Sequence, residues 1–334
     1  MRKTLMTVCM VLLSVVLTYG LANAVVTGVC STCHTMHDSQ GGADQGASGT
    51  QGYLLTGGCY ACHTTGGASG APKIDGTADN TGTGSGALSD AGGDVNAGGA
   101  DQDTRHDIVP ADTFAMTPPG YTSGLTWTNQ KVTCDGTFGC HGKHGATPGV
   151  KGLHHTGSGS AYRFLYVQAG NTGADGTAVN GLESTTWEAG GALTSDHNVY
   201  DSDGGDSISS FCANCHGGFH APGNTGAASP FTRHPTDEEA VVANIDGAGW
   251  AFSSAEIDQT PMGFTSAQIT AGMVTTDATT GTPYTTGNGK AICLSCHRAH
   301  GSAEKDLLRF TYSSMNAGNS TNNTGCETCH VAQR

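Results

Sequence analysis

Cysteine and histidine recur together along this chain in a spacing that suits one kind of cofactor site. Apart from Cys9, the cysteines form six close pairs, and a histidine follows each pair directly. The six sets are Cys30/Cys33/His34, Cys59/Cys62/His63, Cys134/Cys140/His141, Cys212/Cys215/His216, Cys293/Cys296/His297 and Cys326/Cys329/His330. Five are strict C-x-x-C-H, in which two thioether bonds hold the porphyrin vinyl groups and the histidine ligates the iron. The pattern predicts covalently attached c-type haem.

Closely spaced cysteines have other uses in exported proteins, as disulfide frameworks or as zinc ligands. Neither use requires a histidine directly after every pair. Because histidine makes up only 15 of 334 residues, its appearance after all six pairs by chance has a probability on the order of 10⁻⁸. We therefore expect haem at these motifs.

One motif departs from the usual spacing, because five residues separate Cys134 from Cys140. A glycine-rich loop can bulge outward while both sulfurs stay at the vinyl groups. The alternative is a disulfide that closes this small loop. Because His141 follows Cys140 as in the other motifs, we expect haem here too, and about six haems in total.

A histidine on one face of each haem leaves the opposite iron position for a second ligand. Nine other histidines are available for six haems, which predicts histidine on both faces, low reduction potentials and no open substrate position. The expected second ligands are His37, His106, His155, His197, His234 and His300, with His154, His144 and His220 as weaker candidates. We expect His144, His220 and one member of the His154-His155 doublet to have surface or supporting roles. Methionines are the alternative ligands.

Three of these histidines follow a proximal histidine by three residues. The pairs are His34/His37, His141/His144 and His297/His300. One helical turn keeps the second histidine on the proximal side of its own haem. Each of the three is therefore expected to reach a neighbouring iron.

The N-terminus has the features of a secretory signal. Met1-Arg2-Lys3 precede an apolar stretch from Leu5 to Leu17, and an A-x-A cleavage site ends at Ala24. We expect residues 1–24 to be a signal peptide and residues 25–334 to form one multihaem cytochrome c domain. No later segment approaches the roughly 20 apolar residues of a membrane span. The mature protein is expected to be secreted, extracellular or on the cell surface, with the periplasm as the alternative.

The mature chain is acidic, with 12 basic and 28 acidic residues and a formal charge of −16. An acidic surface disfavours nucleic acids and anionic membranes as partners. Simple solubility explains the charge equally well in a chain short of apolar residues.

Composition argues against a core made of side chains alone. Only 36% of the residues are hydrophobic and 52 are glycine, and long polar segments such as 66–100 lack helical or strand periodicity. Buried porphyrins can replace a side-chain core, so we predict a single haem-packed unit of mostly irregular coil, with short helices and few short strands. Helices are predicted at the haem motifs, at 238–244 and at 302–312. Residues 162–167 are predicted to form a short strand or buried segment.

The acidic segment 201–206 has the sequence DSDGGD. It crowds oxygen atoms as a calcium loop does, but it lacks the full ligand spacing of such a loop. An acidic turn is the simpler interpretation.

Several segments resemble the filament-forming extracellular multihaem cytochromes of metal-reducing bacteria, the OmcS and OmcE type of cytochrome nanowire. The resemblance begins at 28–37, which ends in C-H-T-M-H, and continues through 160–165, 196–200, 211–220, 233–237, 293–300 and the motif at Cys326. It implies haems with histidine on both faces in a continuous chain of alternating stacked and T-shaped pairs. It also implies that His37 crosses a subunit boundary and ligates a haem of the next protomer. The Cys134 to Cys140 spacing departs from the family pattern.

The resulting hypothesis is a polymerised extracellular conductor that delivers respiratory electrons to acceptors outside the cell, such as minerals or partner cells. Its expected partners are further copies of itself, upstream periplasmic or outer-membrane cytochromes, and extracellular acceptors. The alternative is a monomeric periplasmic electron shuttle whose ligands all come from one chain. A multihaem enzyme would need an open iron position, often marked by a proximal lysine, whereas every proximal position here is histidine. We therefore expect no enzymatic activity.

Overall fold

The computed structural model describes the chain in segments. These are residues 29–35, 37, 39–40, 43–44, 54–64, 71–75, 92–95, 102–106, 108, 117–122, 124–144, 150, 152–156, 161–168, 176–183, 198–220, 234, 236–237, 261–270, 289–315 and 325–326. The signal segment 1–24 and the helix predicted at 238–244 lie outside them. Within the described segments, no helix has the length and apolar character to cross a bilayer.

Short α-helices form at three of the motifs with two-residue spacing, as predicted. The α-helices are Cys59–Cys62, Leu153–Thr156, Ile208–His216, Ser266–Thr270 and Cys293–Cys296. Shorter 3₁₀ turns span Cys30–Thr32, Gln102–Thr104, Gly204–Asp206 and Gly217–Phe219. Residues three apart lie on one face of a helical turn, so both cysteines of a C-x-x-C pair point the same way.

The helix predicted at the first motif is wrong for Cys33. The 3₁₀ turn there ends at Thr32, and Cys33 follows it with φ −117° and ψ −26°. Its backbone N–H still donates to the carbonyl of Cys30 at 3.2 Å. Because a 3₁₀ turn contains three residues, side chains three apart are eclipsed. Cys33 therefore stays on the same side of the chain as Cys30 although it lies beyond the turn.

Strands of two or three residues supply the remaining regular structure. They are β1 Ser39–Gln40, β2 Ala43–Asp44, β3 Thr133–Asp135, β4 Gly139–His141, β5 Tyr166–Val167, β6 Thr177–Ala178, β7 Gly181–Leu182, β8 Val199–Asp201 and β9 Gly263–Phe264. The pairs β1–β2 and β5–β6 are antiparallel and β3–β4 is parallel. Strand β8 is the centre of a three-stranded sheet, antiparallel to β7 and parallel to β9. These elements confirm the predicted fold class.

The buried apolar side chains form small clusters between the haem motifs. The larger cluster contains Tyr162, Leu165, Val179, Tyr200, Ile208, Ile292 and Leu294. Ile208 begins the helix that carries Cys212, and Leu294 lies within the Cys293–Cys296 helix. This cluster therefore packs two haem motifs against each other.

The single helix predicted at 302–312 is wrong. This segment contains a 3₁₀ turn at Lys305–Leu307 and the start of another at Tyr312–Ser314. Asp306 and Leu307 have positive φ angles, which a right-handed helix does not contain.

The segment 162–167 agrees with the predicted short strand or buried segment. It starts as a 3₁₀ turn at Tyr162–Phe164 and continues as β5. Three of its six side chains are buried. It also contains two residues at positive φ, Arg163 and Phe164.

Candidate haem sites

We number the candidate sites 1 to 6 in chain order by their proximal histidines, which are His34, His63, His141, His216, His297 and His330. Cys329 and His330 of site 6 lie outside the described residues. In sites 1 to 4, the proximal ring faces a second histidine ring. The pairs are His34–His155, His63–His154, His141–His300 and His216–His106, with centroid separations of 5.9, 6.3, 6.2 and 6.1 Å.

These separations match what an iron atom between two imidazoles requires. A metal–imidazole bond is about 2.0–2.1 Å long and the ring centre lies roughly 1.1 Å beyond the nitrogen, so two collinear ligands put their centroids about 6.2–6.4 Å apart. The same spacing recurs in four pairs drawn from distant parts of the chain. Sites 1 to 4 therefore fit a haem iron with histidine on both faces.

The motif cysteines have free thiols wherever the structure describes them, so none of them closes a disulfide. In site 1, Cys30 is exposed and Cys33 is half-buried, just past the 3₁₀ turn. The free thiols are Cys30, Cys33, Cys59, Cys62, Cys134, Cys140, Cys212, Cys215, Cys293, Cys296 and Cys326. A thioether bond to a vinyl group requires a free thiol, so the attachment role of Cys33 and the other motif cysteines stays a prediction that this arrangement allows.

Backbone carbonyls hold the Nδ1 atoms of the proximal histidines. The contacts are His63 with Pro72 at 2.9 Å, His141 with Arg163 at 2.9 Å, His216 with Pro119 at 2.8 Å and His297 with Asp306 at 2.6 Å. Among the candidate second ligands, His106 Nδ1 lies 2.7 Å from the carbonyl oxygen of Ala299. Only a protonated Nδ1 can donate to a carbonyl, so each ring is held in the tautomer that leaves the Nε2 lone pair for iron.

Burial keeps several of these imidazoles neutral. It lowers the pKa of His141 and of His106. It also lowers the pKa of His216 to about 4, with a smaller contribution from the neighbouring His106. Because a neutral imidazole is the form that binds a metal, these rings need not lose a proton before they ligate iron.

The wide motif of site 3 forms a pair of strands where the sequence predicted a helix. Strands β3 and β4 pair in parallel, with Thr133 opposite Gly139 and Asp135 opposite His141. Cys134 and Cys140 therefore lie opposite each other, and opposite residues of a strand pair point to the same face. Both sulfurs reach one side of the loop although five residues separate them.

Two glycines allow this close loop. Gly136 has a φ of 85°, a conformation that glycine adopts readily. A Cβ on Gly139 would lie 2.3 Å from the backbone of Asp135, so the strands could not approach with a larger residue there. Because His141 faces His300 at the same spacing as the other pairs, site 3 keeps the geometry of the strict motifs.

Both members of the His154-His155 doublet face a proximal histidine, which differs from the expectation that one of them has a surface role. They lie in the Leu153–Thr156 helix, where successive side chains are about 100° apart. The two rings therefore diverge, one to His63 and the other to His34. The sequence signal was their adjacency, because neighbouring helical residues diverge toward two different sites.

The other candidate second ligands have varied surroundings. His37 and His234 are exposed, and His197 lies outside the described residues. His220 Nε2 lies 3.4 Å from the Asp237 carboxylate, and His144 is buried next to the site 3 loop. Among the described residues, no histidine ring faces His37, and none faces His297 of site 5.

The candidate second ligands of neighbouring sites are themselves neighbours. The consecutive residues His155 and His154 face the proximal histidines of sites 1 and 2. His300 and His106, which face those of sites 3 and 4, are joined by a backbone hydrogen bond from His106 N–H to His300 O of 3.0 Å. Sites 1 and 2 thus form one pair, and sites 3 and 4 form another.

Cysteines join one pair of sites to the next. A hydrogen bond between the thiols of Cys59 in site 2 and Cys134 in site 3 lowers the pKa of Cys59 and raises that of Cys134. The thiols of Cys212 in site 4 and Cys293 in site 5 make the same contact, which raises the pKa of Cys212 and lowers that of Cys293. Sites 1 to 5 therefore follow one another in chain order, linked alternately through second ligands and through cysteines.

The buried indole N–H of Trp127 suits a cofactor that carries hydrogen-bond acceptors. Its indole is buried and packs against Phe138 of the site 3 loop, with ring centroids 4.9 Å apart. Its Nε1–H is buried and has no acceptor in the described part of the chain, which costs about 1–3 kcal/mol if none arrives. The carboxylates of a haem are acceptors of the required kind.

Comparison with known proteins agrees with this geometry. The family model of the doubled CXXCH motif matches residues 282–334, which contain sites 5 and 6. The outer membrane cytochrome S filament from Geobacter sulfurreducens has a similar structure, with 22% identity over 92% of this chain and 91% of that chain and a TM-score of 0.54. A cryo-EM structure of the OmcS nanowires from the same organism gives 23% identity, 93% and 92% coverage and a TM-score of 0.53. The chain has the fold of a multihaem c-type cytochrome.

No curated protein matches this cytochrome chain. The doubled CXXCH match begins at residue 282, so sites 1 to 4 lie outside it, and the wide Cys134 to Cys140 motif is supported by this chain's own geometry. The similarity to the filament structures extends over nearly the whole chain.

Proposed function

We propose that this chain is an extracellular electron carrier that binds about six c-type haems with histidine on both faces and polymerises head to tail into a conductive filament. The observation that carries the proposal is the difference between sites 3 and 5. Both have the same kind of proximal histidine, but only site 3 has a second histidine among the described residues. Bound haem supplies one-electron transfer, and the residues of this chain hold the haems in a continuous file.

Site 3 shows the geometry by which a second histidine can reach site 5. His300 follows His297 of site 5 by three residues, and it faces His141 of the preceding odd-numbered site. His37 follows His34 of site 1 by the same three residues and is exposed. When a second protomer continues the file, its His37 meets His297 in the way that His300 meets His141.

The cysteine contacts support the same continuation. Within the chain, the first cysteine of an even-numbered site contacts the first cysteine of the next odd-numbered site. The two contacts are Cys59–Cys134 and Cys212–Cys293. Cys326 of site 6 and Cys30 of site 1 are both exposed. Site 6 followed by site 1 of the next protomer repeats the contact, so the alternation continues across the subunit boundary.

The ligand arrangement favours an electron carrier over an enzyme. In sites 1 to 4, histidine rings lie on both sides of the iron position, which leaves no coordination position for a substrate. Because the sites follow one another in order, an electron can pass from one haem to the next along the chain.

We propose that the mature chain is exported to the cell surface or beyond. The segment 1–24 supports export, and the structures that share the fold are described as an outer membrane cytochrome filament and as nanowires. The expected electron donors are periplasmic or outer-membrane cytochromes, and the expected acceptors are extracellular.

A monomeric periplasmic shuttle is the second candidate. It is favoured by the surplus of histidines, because His234 is exposed and His197 follows no motif. If one of them fills site 5, all ligands come from one chain. The same haems then carry electrons without a subunit contact.

Replacement of His37 by alanine separates the two candidates. We expect secreted wild-type holoprotein to form filaments in cryo-electron micrographs. His37→Ala should give monomers that keep every covalent haem, with about one haem in six changing from low-spin to high-spin. The matched variant His234→Ala should assemble as the wild type does. A wild-type holoprotein that stays monomeric with all haems low-spin contradicts the filament.

A further inference from the structure

Three tight turns with unusual backbone angles dock on the odd-numbered sites. In the described part of the chain, the non-glycine residues at positive φ are Leu54, Asn129, Arg163, Phe164, Asp237, Asp306 and Leu307. Five of these seven belong to the three turns. Residues with a Cβ avoid this region, and bulky ones found there are outliers that need a compensating role.

Each turn contacts a proximal histidine in the same way. The residue after the histidine donates its backbone N–H to the carbonyl of a left-handed residue. These bonds are Thr35 to Leu54 at 2.6 Å, Gly142 to Phe164 at 2.6 Å and Arg298 to Leu307 at 2.8 Å. The leucine that ends each turn forms a β-bridge with the histidine itself, in the pairs His34–Leu55, His141–Leu165 and His297–Leu308. The same left-handed turn therefore contacts three proximal histidines, although the sequence shows no fixed repeat.

In sites 3 and 5, a second carbonyl of the turn reaches the imidazole. Arg163 O accepts from His141 Nδ1 at 2.9 Å, and Asp306 O accepts from His297 Nδ1 at 2.6 Å. Each acceptor is the first of two successive left-handed residues. Successive carbonyls of a helical backbone point the same way, so the doubled conformation directs one carbonyl to the ring and the next to the following amide. The corresponding residue of site 1 lies outside the described residues.

In the even-numbered sites, the carbonyl that accepts from the histidine Nδ1 does not come from a left-handed residue. The carbonyls of Pro72 and Pro119 contact His63 and His216 at 2.9 and 2.8 Å. No non-glycine residue at positive φ lies within the described segments 71–75 and 117–122. The left-handed turn is therefore not needed merely to hold Nδ1. It occurs where the ring and the next amide are held together.

We propose that Arg163–Phe164 and Asp306–Leu307 are positioning residues for the proximal ligands of sites 3 and 5, and that Leu54 has this role at site 1, an inference that rests on the histidine ligation proposed above. At sites 3 and 5 the turn anchors both the imidazole and the following amide, so it prevents the ring from rotating about its bond to iron. The orientation and basicity of an axial histidine tune the haem it ligates. The turns thereby set the spectrum and reduction potential of the odd-numbered haems.

Asp306 offers a direct test, because its side chain is exposed and its φ is 56°. Asp306→Val should disrupt the turn, since a β-branched residue tolerates positive φ poorly. The expected result in purified holoprotein is a displaced low-spin ferric signal and a shifted potential for about one haem in six. Asp306→Asn removes the charge but tolerates the left-handed conformation, so its spectrum and potentials should match the wild type.

Asn129 supplies a matched control, because it is exposed and has the same φ of 56° but lies outside the three turns. Asn129→Val should leave every haem signal unchanged. An unchanged spectrum in Asp306→Val, or the same change in Asn129→Val, overturns the proposal. If Asp306→Val yields no holoprotein, Asp306→Ala should show a smaller displacement of the same signal, and its absence also overturns the proposal. A wild-type protein without low-spin haem refutes the ligation itself, which is a separate outcome.

Discussion

Sites 3 and 5 are built alike and completed differently. In each, a left-handed turn ending in leucine holds the proximal histidine, and a cysteine contacts a cysteine of the preceding site. Site 3 has the wide motif, yet its proximal histidine faces His300. Site 5 has the strict motif, yet no described histidine faces His297.

The local motif of a site and its second ligand are therefore determined separately. The backbone around a proximal histidine is set by residues close to it in the fold, whichever spacing the cysteines have. The histidine that faces the proximal ring of site 3 comes from a distant segment, and for site 5 we propose that the second ligand comes from another protomer.

The largest effect is expected from removing the second histidine of site 3. In His300→Ala holoprotein, the iron of site 3 loses a ligand within every protomer, so about one haem in six should become high-spin. Filaments should still form, because His300 lies inside the chain and makes no subunit contact in the proposed polymer. Low-temperature electron paramagnetic resonance and electron microscopy measure the two results.

The control for that variant is His220→Ala, because His220 lies beside Asp237 and not opposite a proximal ring. It should retain six low-spin haems. Loss of filaments in His300→Ala would show that the second ligands of sites 3 and 5 are not equivalent in the way proposed.

A smaller effect is expected from the loop that distinguishes site 3. In Gly139→Ala, the added methyl group meets the Asp135 backbone at 2.3 Å, so the strands must separate and the two sulfurs move apart. A fraction of the protein should carry one haem fewer, as measured by intact mass. The pyridine haemochrome absorbance per protein should fall by up to about one sixth.

Gly124 provides the comparison, since a Cβ there meets nothing within 4 Å. Gly124→Ala should attach the same number of haems as the wild type. A full complement of haem in Gly139→Ala would mean that the close strand pairing is not needed for attachment. A wild-type count of five, with Cys134 and Cys140 in a disulfide, would remove site 3 from the file.

The smallest effect concerns a buried carboxyl group at the end of strand β8. Asp201 accepts hydrogen bonds from Asn180 at 2.8 Å and from the Asp203 amide at 2.8 Å. Burial, together with the Asp203 carboxyl group, raises the pKa of Asp201 from 3.8 to about 7. Between these values the folded state holds a proton that the unfolded state has released, so stability falls as pH rises from about 4 to 7 and changes little above that.

Hydrogen exchange can detect this loss locally while the haems hold the rest of the fold. The Ser202 amide, which donates to Phe264 at 2.8 Å, should lose protection between pH 5 and pH 8, corresponding to roughly 1–3 kcal/mol. Asp201→Asn should make the protection independent of pH, whereas the exposed Asp103→Asn should not. A flat profile in the wild type would contradict the shifted pKa.

Parts of the candidate site were predictable from the sequence because covalent chemistry is local. Two cysteines must reach two vinyl groups and a histidine must follow at once, so Cys293, Cys296 and His297 identify their own site. The irregular fold was also predictable, because polar segments rich in glycine cannot form long periodic elements. The three-residue spacing of His297 and His300 predicted that they serve different sites, and the His300 ring lies opposite His141.

The local backbone of a motif was predictable only in part. A helix was expected at every haem motif, yet Cys33 lies past the end of a 3₁₀ turn and Cys140 lies in a strand. The spacing of the cysteines requires only that both sulfurs reach one side of the chain. A helical turn, a 3₁₀ turn and a pair of strands all meet this requirement, so the spacing does not select among them.

The partners of the proximal histidines were less predictable. Nothing in the sequence near His34 indicates His155, because their contact depends on how a short helix packs far along the chain. The doublet was underestimated for this reason, since spacing alone does not show that adjacent rings diverge to two sites. The left-handed turns were missed as well, because Leu54, Arg163 and Phe164 are not residues that usually signal positive φ.

The sequence by itself indicated the chemistry of attachment, the surplus of histidine and the low content of apolar residues. Each follows from composition or from spacing within a few residues. Only the tertiary structure decided which histidines face each other, how a six-residue offset brings Cys134 beside Cys140, and the order of the sites along the file. The physical reason is that a second ligand needs only to place its imidazole nitrogen at the open position of the metal. In a chain of 334 residues, a histidine at many different positions can do so.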